Sequence, residues 1–365
     1  MKHQGKTDQY QRKPRSSGRA TIHDVAAEAA VSAATVSRVL NRTANVTPET
    51  LARVRAAVAK LNFVPNSLAR NLSLRRTNTL GLLFPEISGP FFSESLRGIE
   101  SVASAAGYNL LIYSMAAHTD GSDITSVPIG AQNADGLLIM GDAVTDEFVR
   151  KLYASQVPLV LVYRSLSGLP LPAVTVENKA GARQLVEHLI GLGHRRIAFI
   201  NGPRSNEDSY WRELGYLEAL AAHGLRADPA LMIEGGFSEA SGAAAARELL
   251  ARNRDRQTGA VPFSALFGAD DETSIGAMAE LRAAGLRVPH DVAVVGFDDI
   301  VTARYIQPPL TTVRAPTEQV GREAVRLLLA AIRGEPPPAP LLLPVELVVR
   351  RSCGYRPTTN DQRPT

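Results

Sequence analysis

The chain has 365 residues, 45% of them hydrophobic and 21% charged, with a net charge of only +4. That length allows two or three domains with sizeable cores, and a single cysteine, Cys353, excludes an internal disulfide framework and a four-cysteine metal site. No apolar run approaches the roughly eighteen residues that cross a bilayer, and the opening "MKHQGKTDQYQRKPRSSGRA" lacks the apolar stretch of an export signal, so a cytoplasmic protein with no membrane partner is expected.

Residues 1–19 carry Lys2, Lys6, Arg12, Lys13, Arg15 and Arg19 against one acid, Asp8. They read either as a solvated, disordered leader or as a basic arm that adds salt-sensitive phosphate contacts. Residues 21–62 read as three short helices. In "TIHDVAAEA", Thr21 is placed as N-cap with Asp24 three residues on, and Val25, Ala26 and Ala29 form the buried stripe. "VSAATVSRVLN" starts at the cap candidate Ser32 and buries Val36, Val39 and Leu40. "TPETLARVRAAVAKLN" combines Thr47 as cap with Pro48 at the first helical position, and Leu51, Val54, Val58 and Leu61 repeat at helical spacing. The first two helices, with the second opening on small polar residues, fit a helix-turn-helix, although any small helical bundle shares the periodicity. Ala30 sits where such a turn favours glycine, which predicts strain if its backbone is left-handed. Residues 65–77 read as a linker with one or two helical turns over 66–72.

From residue 79 the pattern changes to apolar runs: "TLGLLFP", "YNLLIYSM", "DGLLIMG", "VPLVLVYR", "AVTVEN", "RRIAFINGP", "ALMIEGG", "SALFGADD" and "DVAVVGFDD". Continuous apolar strands alternating with amphipathic segments predict parallel sheets covered on both faces. These runs exceed one comfortable sheet, so two doubly wound α/β subdomains are expected. Ligands in such folds sit beyond the carboxyl ends of strands, which here carry "PEISGPFF", "YRSLSG", "NGPRSNEDS", "GGFSEAS", "GADDETS" and "GFDDIVTA".

Residues 20–352 resemble the lactose repressor/galactose repressor family. The resemblance rests on "ATIHDVAAEAAVSAATVSRVLNRTANVTPETLARVRAAVAKLNFVPNSLARNLSLRRTNTLGLLFPEISGPFF", "HLIGLGHRRIAFINGP", "RVPHDVAVVGFDDIVTARYIQPPLTTVRAP" and "LLLPVELVVRRS". It implies a repressor built from an all-α helix-turn-helix headpiece (20–64), a hinge helix (65–77) and a periplasmic-binding-protein-like core (78–353). The core would divide into one subdomain over about 78–177 and 306–335 and another over about 178–305 and 336–353, followed by a tail (354–365). The implied partners are a second copy of the chain, a pseudo-palindromic DNA operator and a carbohydrate-like effector; no cofactor or metal is expected.

The family's reading positions fall on Ala33 and Ala34, with Thr35, Ser37 and Arg38 behind them, Ser32 as cap and Asn41 at the helix end. Arg38 suits a bidentate guanine contact, and the alanine methyls can meet thymine methyls. In the hinge, Leu72 matches the leucine that wedges between base pairs, Asn66 would cap the helix, and Ala69 and Arg70 would lie against the minor-groove walls.

In the core, Arg212 matches the arginine that grips the effector and Asp271 the acid opposite it, a fork donor and a bidentate acceptor suited to a polyol. Phe91, Phe92, Phe237 and Phe297 are candidate stacking faces, with one of the first two expected in the core instead. Departures from the family are Tyr163–Arg164 in place of an Asp-Arg pair, Gly236 in place of a polar residue, and "HTDGSDITSVPIGAQNADG" where a Leu-rich helix is usual. The first two predict that Arg164 and Arg212 together favour an acidic or larger sugar over a neutral hexose.

The acids of Asp270–Asp271–Glu272 and Asp298–Asp299 are read as helix caps or cleft lining rather than metal ligands. No glycine-rich phosphate fingerprint follows the first strand and no nucleophile–base arrangement is visible, which argues against an enzyme. A solute-binding module without DNA function would leave residues 21–76 unexplained.

Overall fold

The computed structural model describes residues 20–41, 46–64, 76–85, 89–115, 133–255 and 257–354. The chain divides into two compact units, Met1–Arg76 and Thr77–Thr365.

The first unit contains α1 (Ile22–Glu28), α2 (Ala33–Asn41) and α3 (Pro48–Lys60). Thr21 and Asp24 form a reciprocal capping box on α1, and Thr47 Oγ1 accepts from Thr50 N at 3.3 Å to cap α3, with Pro48 where no N–H is needed. Val25, Ala26, Ala29, Val36, Val39, Val54 and Ala57 make the small core, with Leu51, Val58 and Leu61 packed around it.

α1 ends in a Schellman turn. Val31 N donates to Ala26 O and Ala30 N to Ala27 O, which requires a left-handed residue at position 30, and Ala30 adopts φ 51°. α3 ends the same way on Asn62 at φ 46°, with Phe63 N donating to Val58 O. Asparagine tolerates that conformation better than alanine does.

The second unit holds two parallel sheets. The first has the order β11-β5-β4-β3-β1-β2, built from β1 (Thr79–Phe84), β2 (Asn109–Ser114), β3 (Gly136–Met140), β4 (Leu159–Val162), β5 (Ala173–Val176) and β11 (Leu341–Leu343). The second has the order β7-β6-β8-β9, from β6 (Ile197–Asn201), β7 (Met232–Glu234), β8 (Ala265–Gly268) and β9 (Ala293–Val295). β10 (Thr312–Arg314) pairs antiparallel with β12 (Glu346–Val348) and bridges to the end of the second sheet through Val295–Thr311 and Asp298–Arg314. β3, β4, β6 and β8 are buried along their whole length, as strands covered on both faces must be.

The first sheet is covered by α4 (Pro90–Ala105), α5 (Asp146–Ala154) and α10 (Thr317–Ile332), and the second by α8 (Glu239–Asn253) and α9 (Asp271–Ala283); α6 (Asn178–Gly191) and α7 (Glu207–Ala222) pack on each other. α4 and α10 approach so closely that a Cβ on Gly98 would lie 2.0 Å from Glu318 O and one on Gly321 2.3 Å from Ser95 O.

The nine apolar runs became β1 to β9. The subdomain boundaries need correction. Residues 336–353 do not belong wholly to the second lobe, because β11 joins the first sheet beside β5 while β12 pairs with β10. Pro344, between them, cannot donate to a ladder, so "LLLPVELVV" divides between two partners. Likewise, within 306–335, Thr311 and β10 lie against the second lobe and α10 against the first. The departure around 116–132 lies outside the described residues.

Candidate functional site

On α2, Ala34 and Arg38 are exposed and Ser37 is half-buried; spaced by three and four residues, they share one face, opposite the buried Val36 and Val39. Ser32 caps the helix, its Oγ accepting from Thr35 N at 3.1 Å, and the two hydroxyls are hydrogen-bonded at 2.9 Å. Ser32 and Thr35 therefore form one polar unit at the helix start, with the half-buried Ala33 and exposed Ala34 between them. A bare methyl surface followed by a fork donor permits close approach to a groove floor before Arg38 reaches an edge or phosphate. Asn41 closes the helix. Asn66, Ala69, Arg70 and Leu72 lie outside the described residues.

In the second unit, the carboxyl ends of the strands carry a buried polar network centred on Arg212, which projects from the first turns of α7 and is 3% exposed. Its Nε donates to Asn178 Oδ1 (2.8 Å), Nη1 to Ala269 O (2.7 Å) and Nη2 to Asp298 Oδ1 (3.0 Å). Asn178 passes the network on, its Nδ2 donating to Asp208 Oδ1 at 2.7 Å. The guanidinium lies 3.9 Å from the Phe297 ring centroid and 5.9 Å from that of Phe237.

Acids outnumber the cation here. Burial pushes the Asp208 carboxyl up to about 7, opposed by Arg212, and Asp270 up to about 6, with Asp298 adding to the effect. Burial also raises Asp298, against the pull of Arg212. Four non-glycine residues at these strand ends hold left-handed backbone: Tyr163 (φ 58°), Phe237 (φ 53°), Asp298 (φ 103°) and Asp299 (φ 57°). Strained residues gathered at one place are a mark of ligand clamps.

Several expected site residues take other roles. Asp271 does not face the cleft: it is fully buried, Oδ1 accepting from Thr312 Oγ1 (2.6 Å) and Oδ2 from Ile300 N (2.9 Å), so both oxygens are spent inside the second lobe. The acid opposing Arg212 is Asp298. Arg164 is also withdrawn, donating to Gly141 O, Val144 O and Asp146, which leaves the cationic argument for an acidic ligand with Arg212 alone. Phe297 is wholly buried as the platform under Arg212. Tyr163 is nearly buried, its hydroxyl bonded to Ser95 Oγ at 3.2 Å and its ring 4.9 Å from Phe91. Phe91 and Phe92 are both half-buried against the first sheet's core, Phe92 edge-on to buried Phe84 and Phe91 beside Tyr163, while half-buried Phe237 lies next to Arg212.

Asp270 is a cap, accepting from Thr273 N at 2.8 Å. Asp299 instead accepts from Arg304, Arg314 and Arg350, tying the segment just after β12 to the lobe. Among the described residues no cluster of His, Cys, Asp and Glu could hold a metal, and no helix is long and apolar enough to cross a membrane.

A three-helix unit with an exposed helix face, joined in one chain to a two-lobed α/β core with a buried polar network at its strand ends, has the make-up of a DNA-binding transcriptional regulator. Residues 21–66 match the bacterial regulatory proteins of the lacI family and residues 186–353 the periplasmic binding protein-like domain. The chain is 39% identical to the HTH-type transcriptional regulator CelR of Thermobifida fusca over 92% of its length and 98% of that protein. It is 33% identical to the HTH-type transcriptional repressor CytR of Escherichia coli, over 93% and 97%. Among solved structures, a lac repressor dimer bound to operator and an anti-inducer matches 92% of this chain and 99% of that one (TM-score 0.77, 29% identity), and a CelR–cellobiose complex matches 92% and 100% (TM-score 0.67, 36% identity). The chain belongs to the LacI family of DNA-binding transcriptional regulators.

Proposed function

We propose that the chain is a homodimeric repressor that binds a pseudo-palindromic operator and is released from it by a neutral saccharide held between the lobes of its core. The observation that carries the effector class is the composition of the buried network. Asp208, Asp270 and Asp298 surround one arginine, Arg212, whose charge Asp298 already takes. With Arg212 already paired to Asp298 and burial holding Asp208 and Asp270 toward their protonated forms, the site offers hydroxyl-matching donors and acceptors rather than free positive charge, so it suits a polyol better than a sugar acid or phosphate. Phe91 and Phe237 offer apolar faces to ring C–H groups. The cellobiose bound to CelR and the operator-bound dimer of the lac repressor agree with this reading.

The test is a gel shift of the full chain on the DNA upstream of its own gene, with salt and saccharide titrations. Repression with release predicts salt-steep binding to one palindromic site, weakened by a neutral saccharide and unchanged by the corresponding uronic acid. Operator binding that strengthens with saccharide would reverse the sign of control, and heat from sugar acids alone in calorimetry would overturn the effector class.

A further inference from the structure

Outside the buried network, the same helix carries an exposed aromatic pair that the network does not use. Tyr210 is 58% and Trp211 37% exposed, and their rings meet edge-on at 5.1 Å and 71°. The indole is anchored: its Nε1 donates to Glu207 Oε1 at 3.2 Å. That same carboxylate takes Ser165 from the other lobe, accepting from its hydroxyl at 2.9 Å on Oε1 and from its backbone N–H at 2.5 Å on Oε2. Ser165 directly follows Tyr163 and Arg164, so Glu207 marks the seam where the lobes meet and Trp211 sits on it. On α7, Asp208 and Arg212 are one turn apart and turn inward, whereas Glu207 and Trp211, also one turn apart, line the edge.

We infer that Tyr210 and Trp211 form an outer saccharide subsite, so that the effector is an oligosaccharide with one ring in the buried network and the next stacked on the indole. This deepens the proposed function and rests on its neutral-saccharide reading. A sugar ring has an apolar C–H face and hydroxyl edges, and an aromatic platform beside a carboxylate matches both. A large aromatic surface held by a hydrogen bond loses little further freedom when a ligand covers it, which favours its use for binding. A monosaccharide filling the network would leave the platform bare.

Trp211 is the sole tryptophan of the chain, so its emission reports on this position. Calorimetry and fluorescence titrations of the full-length protein are run against glucose and galactose and against cellobiose, maltose and lactose. A disaccharide is expected to bind about tenfold or more tighter than either monosaccharide and alone to shift the tryptophan emission. Trp211→Ala is expected to weaken disaccharide affinity about tenfold with monosaccharide affinity unchanged, and Trp211→Phe to retain most of it, in line with the usual worth of an aromatic stacking contact. Equal affinities for mono- and disaccharides, or a Trp211→Ala protein that binds the disaccharide as the parent does, would overturn the subsite and leave the neutral-saccharide reading standing. Heat from none of the sugars would overturn both.

Discussion

The turn after α1 and the strand ends of the core both hold non-glycine residues in left-handed backbone, yet the two strains differ in kind. Ala30, at φ 51°, is exposed, and its side chain is a methyl with no bond to make. Asp298, at φ 103°, is buried and spends its carboxylate on Arg212, while Tyr163, at φ 58°, brings its ring against Phe91. At the turn the conformation is demanded by the two closing hydrogen bonds and any residue that tolerates it would serve. At the strand ends the conformation aims a side chain, and the side chain is the reason for it. Relief of strain should therefore be beneficial in one place and damaging in the other.

The largest effect is expected where the strained residues converge. Arg212→Met leaves Asp298, Asn178 Oδ1 and Ala269 O without their donor. Breaking a buried pair by removing one partner costs about 3–5 kcal/mol. A clearly lowered thermal midpoint and loss of saccharide heat in calorimetry are expected, and parent-like affinity would show that the network is not the effector site. Asp298→Gly is the sharper trial of the comparison. It removes the backbone strain, of order 1–3 kcal/mol, but strands the guanidinium, so a net loss of stability and of effector response is expected. A gain in melting temperature would mean that the strain at Asp298 serves nothing.

The excess of acid predicts a pH dependence of opposite sense to ordinary acid unfolding. Asp208 and Asp270 titrate at about 7 and about 6 in the folded chain, against an ordinary value of 3.8. Between those values the folded state retains protons that the unfolded chain has released, so this contribution is full below about pH 4 and is lost as pH rises toward about 7. Thermal midpoints of the core are expected to fall over that window, and Asp208→Asn to flatten the fall. A slope that survives Asp208→Asn unchanged would place its origin elsewhere.

The same contrast explains what could be read in the sequence. Periodicity and caps located α1 to α3 and the runs that became β1 to β9, because helix stripes and doubly covered strands are local patterns. β10, β11 and β12, of three residues each, take their identity from partners far along the chain, and a single proline sends adjacent residues to different sheets. Arg212 was legible from its family motif. Its acid was not: in "ADDE" and "FDDI" neighbouring aspartates look alike, and only backbone φ and helix phase decide that Asp271 turns into the lobe while Asp298 meets the arginine. Arg164 looked available because its acceptors, Gly141 O and Val144 O, are carbonyls more than a strand away and carry no sequence signature.

The smallest expected effect isolates the turn. Ala30→Gly removes a left-handed alanine, worth roughly 1–2 kcal/mol, and adds glycine's unfolded-state entropy, roughly 0.5–1 kcal/mol, leaving a net gain of about 0.5–1 kcal/mol. In the full-length chain this reads as a few-fold slower hydrogen exchange at the amides of α1 and α2. Asn62→Gly, at the matching turn after α3, starts from a residue already tolerant of φ 46° and should give a smaller gain. Operator affinity should stay within about twofold in both, because neither position lies on the face of α2 that carries Ala34 and Arg38. Equal gains at the two sites would show that the closing hydrogen bonds, rather than the residue at C′, set the stability of these turns. A loss of operator affinity in Ala30→Gly alone would mean that the methyl at the turn touches DNA, and the distinction between idle and employed strain would then fail at its simplest point.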